Sequence, residues 1–295
     1  MKKQNVIIVG GGTAGWMCAA ALSKLIGNRL NITLVESEQI GTIGVGEATV
    51  PTFLTLHRLL KIDEADFLSK VQGTIKLGIS FENWRKIGHQ YIHSFGFTGQ
   101  GCWAAGFQHF WLKGKQLGLS DDYGDYTPEL KAAKENKFGF LKETPLHYAY
   151  HIDAGRYATF LRQLAEPEGV TRVEGIVREV LQRENGAIKS IVLESDQVIE
   201  GDFFVDCTGF AGLLIEKTLK TEFETWQHWL PCDRAIAVQT AATEAPIPYT
   251  RSIAHGFGWQ WRIPLQERVG NGLVFSSEHV SDDEAHATLM SNLSG

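Results

Sequence analysis

The sequence predicts an α/β fold built around a parallel sheet, and three observations near its start support this. An apolar run, Val6–Val9, leads directly into the pattern Gly-x-Gly-x-x-Gly at Gly10–Gly15. A helix-forming stretch follows at Met17–Lys24, and a second apolar run, Asn31–Val35, ends in the acidic Glu36. A strand, a glycine turn, a helix and a second strand in this order form a β-α-β unit with parallel strands.

Each part of this unit has a physical role in holding a dinucleotide. Gly10 permits a tight turn, Gly12 lets the backbone approach a pyrophosphate, and Gly15 lets the helix pack closely against the strand. The helix N-terminus offers free N–H groups and a positive dipole end to phosphates. Glu36 lies about 20 residues past the turn, where a carboxylate can accept hydrogen bonds from a ribose. The combination predicts a dinucleotide-binding site, whereas the glycines alone are weak evidence.

Composition and charge exclude several classes of protein. The chain has 295 residues, 43% hydrophobic and 21% charged, which is ordinary for a globular protein with a sizeable core. A net charge of −6 argues against a nucleic-acid-binding protein, which would present a basic face. No apolar run is long enough to span a membrane, and the basic start leads into a strand rather than a signal peptide. We expect a cytoplasmic protein with no nucleic acid and no membrane as partner.

The cysteines indicate no metal site. Cys18, Cys102, Cys207 and Cys232 are widely separated, and they form neither a Cys-x-x-Cys pair nor a cluster with histidine at metal-ligand spacing. We therefore expect reduced, buried thiols and no bound metal.

The remaining elements follow from periodicity and capping signals. The predicted helices are Thr52–Leu60, Asp63–Val71, Phe107–Leu117, Asp153–Glu166 and a last one beginning near Ser281. The predicted strands are Ile75–Glu82, Gln90–Phe95, Val173–Gln182, Ile188–Leu193, Val198–Val205 and several between residues 233 and 280. Residues 41–51 form a second glycine-rich turn, residues 118–127 a polar loop, and Asn185-Gly186 gives a strong hairpin signal.

The order of these elements predicts a discontinuous nucleotide domain. Residues 1–60 and 150–225 would form Rossmann-like segments, and residues 61–149 and 226–295 would form substrate-side α+β segments. The strand Phe203–Val205 ends in a turn containing Thr208 and Gly209, as in flavoproteins with two dinucleotide-binding domains, which favours FAD over NAD. We therefore expect a glutathione-reductase-type FAD fold with an inserted mixed substrate region.

Five segments in order resemble the flavin-dependent tryptophan halogenase family, and the similarity covers essentially the whole chain. The most specific is the Trp-x-Trp-x-Ile-Pro block at Trp259–Pro264, which distinguishes these halogenases from flavin monooxygenases of similar fold. The other four are Gly10–Trp16, Gly44–Pro51, Ile75–Trp84 and Tyr91–Gly96.

The resemblance implies a reaction and its participants. Reduced FAD (FADH2), O2 and a halide ion form hypohalous acid, which passes to a lysine beside an electron-rich arene, here tryptophan or an indole derivative. A separate NAD(P)H-dependent flavin reductase supplies the reduced flavin, and a homodimer is left open. By motif the catalytic lysine is Lys76, which also contacts the substrate. Either a hydrogen-bonded hypohalous acid or a chloramine would be the halogen donor.

The resemblance also assigns the other site residues. His93 and Phe95 would flank the substrate ring from one face of a strand. Trp259 and Trp261 would shield the flavin. Thr13, Ala14, Ala48 and Val177 join Gly10, Gly12, Gly15, Glu36, Thr208 and Gly209 as cofactor-binding residues.

Simpler interpretations of these residues stay open. Lys76 would otherwise be a solvated strand lysine, His93 and Phe95 a core pair, Trp259 and Trp261 core tryptophans, and Val177 an ordinary strand valine.

Two other functions stay open. One is a flavin monooxygenase of the same fold. The other is a non-catalytic FAD-binding fragment, because family members continue beyond Gly295 with a segment that carries a catalytic glutamate. We expect the chain to be the N-terminal part of such a protein.

Overall fold

The computed structural model describes residues 3–41, 44–140 and 145–293. Thr42 and Ile43, part of the predicted glycine-rich turn at residues 41–51, lie outside the described residues. Contacts divide the chain into two compact units. Unit 1 comprises Met1–Gly44, Leu56–Val71 and Asp153–Trp226, and unit 2 comprises Val45–Thr55, Gln72–Ile152 and Gln227–Gly295. Within the described ranges, no helix combines the length and the apolar character needed to cross a membrane.

The described residues form strands and helices that we number in chain order. The strands are β1 (Gln4–Val9), β2 (Leu30–Glu36), β3 (Glu47–Ala48), β4 (Thr74–Lys76), β5 (Gly78–Glu82), β6 (Gln90–Ser94), β7 (Ala149–Ile152), β8 (Val170–Glu174), β9 (Val177–Gln182), β10 (Ile188–Leu193), β11 (Val198–Glu200), β12 (Phe203–Asp206), β13 (Arg234–Ala241), β14 (Thr250–His255), β15 (Gly258–Pro264) and β16 (Arg268–Phe275). The α-helices are α1 (Thr13–Ile26), α2 (Phe53–Leu60), α3 (Glu64–Lys70), α4 (Phe107–Gln116), α5 (Pro128–Lys134), α6 (Ala154–Ala165) and α7 (Asp282–Ser291).

Unit 1 is organised by a parallel sheet of four strands in the order β12-β1-β2-β8. In the central strand β1, Ile8 lies beside Leu34 of β2 and Val205 of β12. Ile7, Ile8 and Leu34 are fully buried, as expected for parallel strands that are covered on both faces. The predicted α/β fold class with its opening β-α-β unit is confirmed.

A second sheet of unit 1, with the order β11-β10-β9, is antiparallel. The predicted hairpin at Asn185-Gly186 joins β9 to β10, and Gly186 adopts a φ of 83° that its lack of a Cβ permits. Ile191 and Leu193 of β10 pack with Ile7 and Val35 in one hydrophobic core. Apolar packing therefore links this sheet to the parallel sheet.

Unit 2 contains a six-stranded sheet in the order β13-β16-β15-β14-β5-β6 and a three-stranded sheet in the order β3-β7-β4. Helix α7 packs on the larger sheet, where Ala285 and Leu289 meet Leu273 and Phe275. Ser281 caps this helix in a reciprocal pair with Glu284.

Helix starts were predicted well, because capping residues mark them. Asp63 and Asp153 cap α3 and α6, since their carboxylates accept hydrogen bonds from Asp66 N at 2.8 Å and Arg156 N at 2.9 Å. Helix α5 and strands β3 and β7 were missed. A single turn of 3₁₀ helix, Tyr123–Tyr126, lies in the predicted polar loop.

Three predicted strands are each two strands in the structure. The prediction of one strand over Val173–Gln182 is wrong because Gly175, with a φ of 159°, turns the chain between β8 and β9, which belong to different sheets. Ile75–Glu82 divides at Leu77 into β4 and β5, and Val198–Val205 divides into β11 and β12. Periodicity alone does not reveal where a chain changes sheet.

Gly272 determines the position of Trp261 on the larger sheet. The two residues are opposite each other on β16 and β15, and a Cβ at Gly272 would lie 2.0 Å from the Trp261 ring. We expect Gly272→Ala to destabilise the fold by about 1–3 kcal/mol, as overpacking does, and to shift the tryptophan fluorescence. Denaturant unfolding measures this. Gly256→Ala is the control, because its added Cβ would meet nothing within 4 Å, and equal stabilities of the two variants would contradict the expectation.

Candidate functional site

A cleft of 760 Å³ opens in unit 1 at the carboxyl ends of the parallel strands. Its walls are the glycine turn, the ends of β1 and β2, and residues 207–211 after β12. Helix α6, the loop after β2, Arg172 of β8 and the start of β9 also line it. Ligands of open α/β sheets bind at this edge of the sheet, so the cleft is the candidate cofactor site.

Three glycines of the turn are required by close contacts, with backbone carbonyls at Gly10 and Gly15 and with the Glu36 side chain at Gly11. A Cβ at Gly10, whose φ is 109°, would lie 2.2 Å from Cys207 O, and one at Gly15 would lie 1.9 Å from Gly10 O. At Gly11 a Cβ would lie 1.5 Å from Glu36 Oε2. These contacts leave no room for any side chain at the three positions.

Gly12 differs, because a Cβ there would meet nothing within 4 Å. Gly12 is also the N-cap of α1, where it offers no capping side chain, and the first turn of that helix carries no acidic residue. The helix therefore presents unopposed N–H groups and its positive dipole end beside open space. This cradle has the donors and the open space that an anionic group such as a pyrophosphate requires.

The other predicted residues at the start of α1 lie outside the cleft wall. Thr13 Oγ1 donates to Ala154 O at 3.4 Å, Ala14 is exposed, and Gly15 is buried. None of the three lines the cleft. Their contribution to a phosphate site would come from the backbone N–H groups of the first helical turn.

Glu36 lies in the cleft wall with both carboxylate oxygens bonded. Oε1 accepts from Arg172 Nε at 2.5 Å, and Oε2 accepts from Trp16 Nε1 at 3.1 Å. Arg172 also pairs with Glu38 and Glu174. Since each carboxylate oxygen has a second lone pair, Glu36 keeps the capacity to accept from ribose hydroxyls.

The turn after β12 is built by one carboxylate. Asp206 accepts hydrogen bonds from Thr208 N, Thr208 Oγ1, Leu214 N and Ile215 N at 2.6–3.0 Å. Burial would raise the pKa of Asp206, but these hydrogen bonds hold it below its usual value. They place Thr208 and Gly209 in the cleft wall, where Val177 of β9 also lies. Ala48, the remaining predicted cofactor residue, is exposed in unit 2.

In unit 2, Lys76 is a buried amine, with 3% of its surface exposed. Its Nζ donates to Thr49 O at 3.0 Å and lies 5.5 Å from the centre of the Phe95 ring. Burial lowers the pKa of Lys76 to about 8. The alternative of a solvated strand lysine therefore does not describe this side chain, which is mostly ammonium at pH 7 with about a tenth present as the neutral amine.

Short contacts between neighbouring strands place the residues around Lys76. Leu77 O accepts from Phe95 N at 2.7 Å, and a Cβ at Gly78 would lie 2.5 Å from His93 O. Strand β6 ends at Ser94, so Phe95 lies just beyond the strand whose alternation predicted a face shared with His93. The structure brings Phe95 to Lys76, and His93 is exposed on β6.

Trp259 and Trp261 alternate along β15, and their ring centres are 6.2 Å apart. Trp84 extends this row, with its ring centre 6.4 Å from that of Trp259. Trp261 is 9% exposed, and its Nε1 has no hydrogen-bond partner within the described part of the chain. Together with Trp84, both tryptophans form a row of aromatic rings on unit 2.

Several residues of these sites were missed from sequence. Trp16 and Arg172 hold Glu36, and Asp206 shapes the turn of the cleft. Trp16 stands next to the glycine pattern and Asp206 stands next to the Thr-Gly turn, so both had a local signal. Arg172 had none, because its partner Glu36 is distant in sequence. Among the described residues, no group of three or more acidic, histidine or cysteine side chains is placed to hold a metal ion.

The chain matches one protein family and several of its members. The family model described as tryptophan halogenase matches residues 5–295. The chain is 37% identical over 96% of its length to the 7-chloro-L-tryptophan 6-halogenase KtzR of Kutzneria sp. (strain 744), of which it covers 60%. It is 35% identical over 96% of its length to the tryptophan 7-halogenase RebH of Lentzea aerocolonigenes, of which it covers 58%.

Solved structures of flavin-dependent halogenases have the same fold. One from Xanthomonas campestris is 54% identical with a TM-score of 0.96, and the match covers 100% of this chain and 60% of that one. BrvH from Brevundimonas sp. BAL3 is 43% identical with a TM-score of 0.92, covering 99% and 60%. The predicted FAD-binding Rossmann-like fold is thereby confirmed. The chain spans about 60% of the length of these relatives.

The buried Lys76 makes stability depend on pH in a specific way. Its pKa falls from 10.5 to about 8 on folding, so the unfolded chain binds the proton more tightly. This shift lowers the free energy of unfolding by its full amount below pH 8. The loss shrinks as the pH rises toward 10.5 and is absent above that pH. We expect Lys76→Met to stabilise the protein by about 2 kcal/mol at pH 7, since about 3 kcal/mol of desolvation is relieved and about 1 kcal/mol of hydrogen bonding is lost.

Urea unfolding at pH 7 and at pH 10.5 measures this difference, and the advantage of Lys76→Met should shrink at the higher pH. The control is Lys70→Met, because Lys70 is half-exposed on α3. If the two variants behaved alike at both pH values, Lys76 would be a solvated lysine.

Proposed function

The chain belongs to the tryptophan halogenase family, and from that premise we propose that it carries the cofactor site and the halogenating lysine of a flavin-dependent halogenase. The family uses reduced FAD, O2 and a halide ion. When bound, reduced FAD supplies the electrons with which O2 and halide become hypohalous acid and water. The proposed acceptor of the halogen is tryptophan or an indole-type arene.

The cleft of unit 1 supports FAD as the ligand. The uncapped helix N-terminus at Gly12 would receive the pyrophosphate, and Glu36 would accept hydrogen bonds from the adenosine ribose. Glu36, Glu38 and Glu174 surround the single guanidinium of Arg172, which leaves an excess of negative charge at this end of the cleft. Such a field disfavours a ribose that carries an additional phosphate, as NADP does.

A separate reductase follows from this assignment. The one cleft described above would be used by FAD, so we propose that a separate NAD(P)H-dependent flavin reductase delivers the reduced cofactor. A homodimer and a cytoplasmic location are also kept as predictions.

The single observation that carries the proposal is the buried amine of Lys76. A lysine with a pKa of about 8 is present as both amine and ammonium near neutral pH. As ammonium it would donate a hydrogen bond to hypohalous acid and polarise the O–halogen bond. As amine it would attack the halogen of hypohalous acid, so that an N–halogen bond forms on Nζ while the O–halogen bond breaks and water leaves with the amine proton. Either form delivers electrophilic halogen beside the aromatic face of Phe95.

Aromatic side chains of unit 2 support a flat substrate. Phe95 already contacts the Lys76 ammonium, and a stacked or edge-on indole is well held by such a ring. His93, exposed on β6, would provide a polar contact on the substrate side. Trp259 and Trp261 would form the rigid surface that keeps organic molecules from the flavin, as proposed from the Trp-x-Trp pattern.

Gly12→Val tests the cofactor site. A Cβ at this position would meet no protein atom within 4 Å, so the variant should fold while its methyl groups extend into the space proposed for the phosphate. We expect the affinity for FAD to fall by at least about tenfold, or 1.4 kcal/mol. Titration calorimetry measures the affinity, Gly139→Val is the control, and unchanged FAD affinity would sink the assignment.

Lys76→Ala tests the role of the lysine in halogenation. The variant should still consume O2 and release hypohalous acid when given reduced flavin and bromide, because Lys76 belongs to unit 2 and not to the cofactor cleft. We expect bromoindole formation to drop by about a hundredfold or more, as for loss of a positioned acid–base group.

Product chromatography with and without bromide measures the reaction, and Lys70→Ala serves as the control. Bromination at the normal rate by Lys76→Ala would exclude the lysine. Oxygenated indole formed without halide would instead favour a flavin monooxygenase.

A further inference from the structure

A fully buried histidine lies in the smaller sheet of unit 2, on the strand next to that of Lys76 and opposite the residue two positions before it. His151 is in the central strand β7, where it pairs with Ala48 of β3 and Thr74 of β4. It has no exposed surface. The proposed function gives this imidazole no part.

Both ring nitrogens of His151 are hydrogen-bonded to threonine hydroxyls. Nδ1 is 2.9 Å from Thr74 Oγ1, and Nε2 is 3.0 Å from Thr250 Oγ1. Thr74 Oγ1 also lies 2.7 Å from Pro264 O, which can only accept. The single hydroxyl proton of Thr74 is therefore directed at Pro264, so Nδ1 carries a proton and donates to Thr74. Nε2 then accepts from the hydroxyl of Thr250.

This chain of hydrogen bonds connects the strand of Lys76 to the larger sheet. Thr74 begins β4, and Lys76 ends it. Thr250 begins β14, and Pro264 ends β15, the strand that carries the two tryptophans. The imidazole and the Thr74 hydroxyl thus join four strands of unit 2 at one buried point.

The surroundings of His151 keep it uncharged. Burial, together with the smaller effect of the positive charge of Lys76, lowers its pKa to about 3. Of the strands around it, β4 contributes Thr74 and the charged Lys76, and β3 contributes Glu47 opposite the neighbouring Ile152. Strands β14 and β15 contribute only the uncharged Thr250 and Pro264 at this point. Of the two side chains, His151 therefore stays neutral and Lys76 is the one that titrates near neutral pH.

We propose that His151 is a positioning residue: its Nδ1–H bond to Thr74 fixes β4 so that Lys76 Nζ stays buried between Thr49 O and the Phe95 ring. The proposal rests on the proposed function of Lys76 for its importance to the reaction. It makes no use of His151 as an acid or base. The Pro264 carbonyl sets the tautomer because it takes the hydroxyl proton of Thr74, and the bond to Thr250 is a second contact of the ring.

Two substitutions of His151 separate the effect of its hydrogen bond to Thr74 from that of its hydrogen bond to Thr250. The amide of His151→Asn occupies the place of Nδ1 and can donate to Thr74, whereas the amide of His151→Gln reaches the place of Nε2 and can pair only with Thr250. We expect Asn to preserve the environment of Lys76. We expect Gln to release β4 and let water reach the amine, so that the midpoint of Lys76 titration rises by about one pH unit.

The readout is the rate at which formaldehyde and a borane reductant methylate Lys76. Peptide mass spectrometry measures this rate at about ten pH values between 6 and 11. Lys70 in the same digest is the internal reference. His57→Gln is the control for losing a buried histidine, because His57 in unit 1 is also buried and bonded to a hydroxyl, that of Tyr157 at 3.0 Å. It should leave the Lys76 midpoint unchanged.

A second pair of variants keeps the imidazole in place. Thr74→Val should raise the Lys76 midpoint, and Thr250→Val should leave it near its original value. Equal midpoints in all variants, or equal shifts within either pair, would overturn the proposal. Because this assay needs neither flavin nor halide, such a result would leave the proposed function untouched, whereas bromination by Lys76→Ala would refute that function without refuting the role of His151.

Discussion

The backbone contacts of the glycine turn are the constraint on which the cofactor cleft depends. Gly10 N donates to Val35 O at 2.8 Å, while the Cα of Gly10 packs against the carbonyl of Cys207. One residue therefore joins the ends of three parallel strands, and Gly15 brings α1 against the same point. Since no side chain fits at Gly10, Gly11 or Gly15, the helix N-terminus is held in a fixed position at the strand ends. The cradle at Gly12 is a consequence of this packing.

Unit 2 depends on a different constraint, the burial of a cation. Keeping Lys76 out of water costs stability, and one backbone carbonyl together with one aromatic face returns only part of that cost. Proteins retain such costly groups where chemistry requires a shifted pKa, and a strained or desolvated site is commonly a functional one. The two units thus divide the proposed reaction, with oxidation of halide assigned to the cleft of one and delivery of halogen to the lysine of the other.

Sequence reasoning predicted the features that depend on local signals. The glycine turn, the acidic end of β2, the helix caps at Asp63 and Asp153 and the hairpin at Asn185-Gly186 each have a motif of a few residues. It failed where distant segments decide the outcome. Arg172 pairs with Glu36 across 136 positions, and His151 joins Thr74 to Thr250, so no window of sequence contains either arrangement. Lys76 was found through family resemblance, while its burial came only from the structure.

A crystal structure of the protein with FAD tests the account most directly. We expect electron density for the pyrophosphate against the backbone N–H groups that follow Gly12, and for a ribose within hydrogen-bond distance of Glu36. The glycine turn should not move, because its contacts already fix it. FAD bound elsewhere on the protein, with the cleft of unit 1 free of it, would contradict the assignment of the cofactor site.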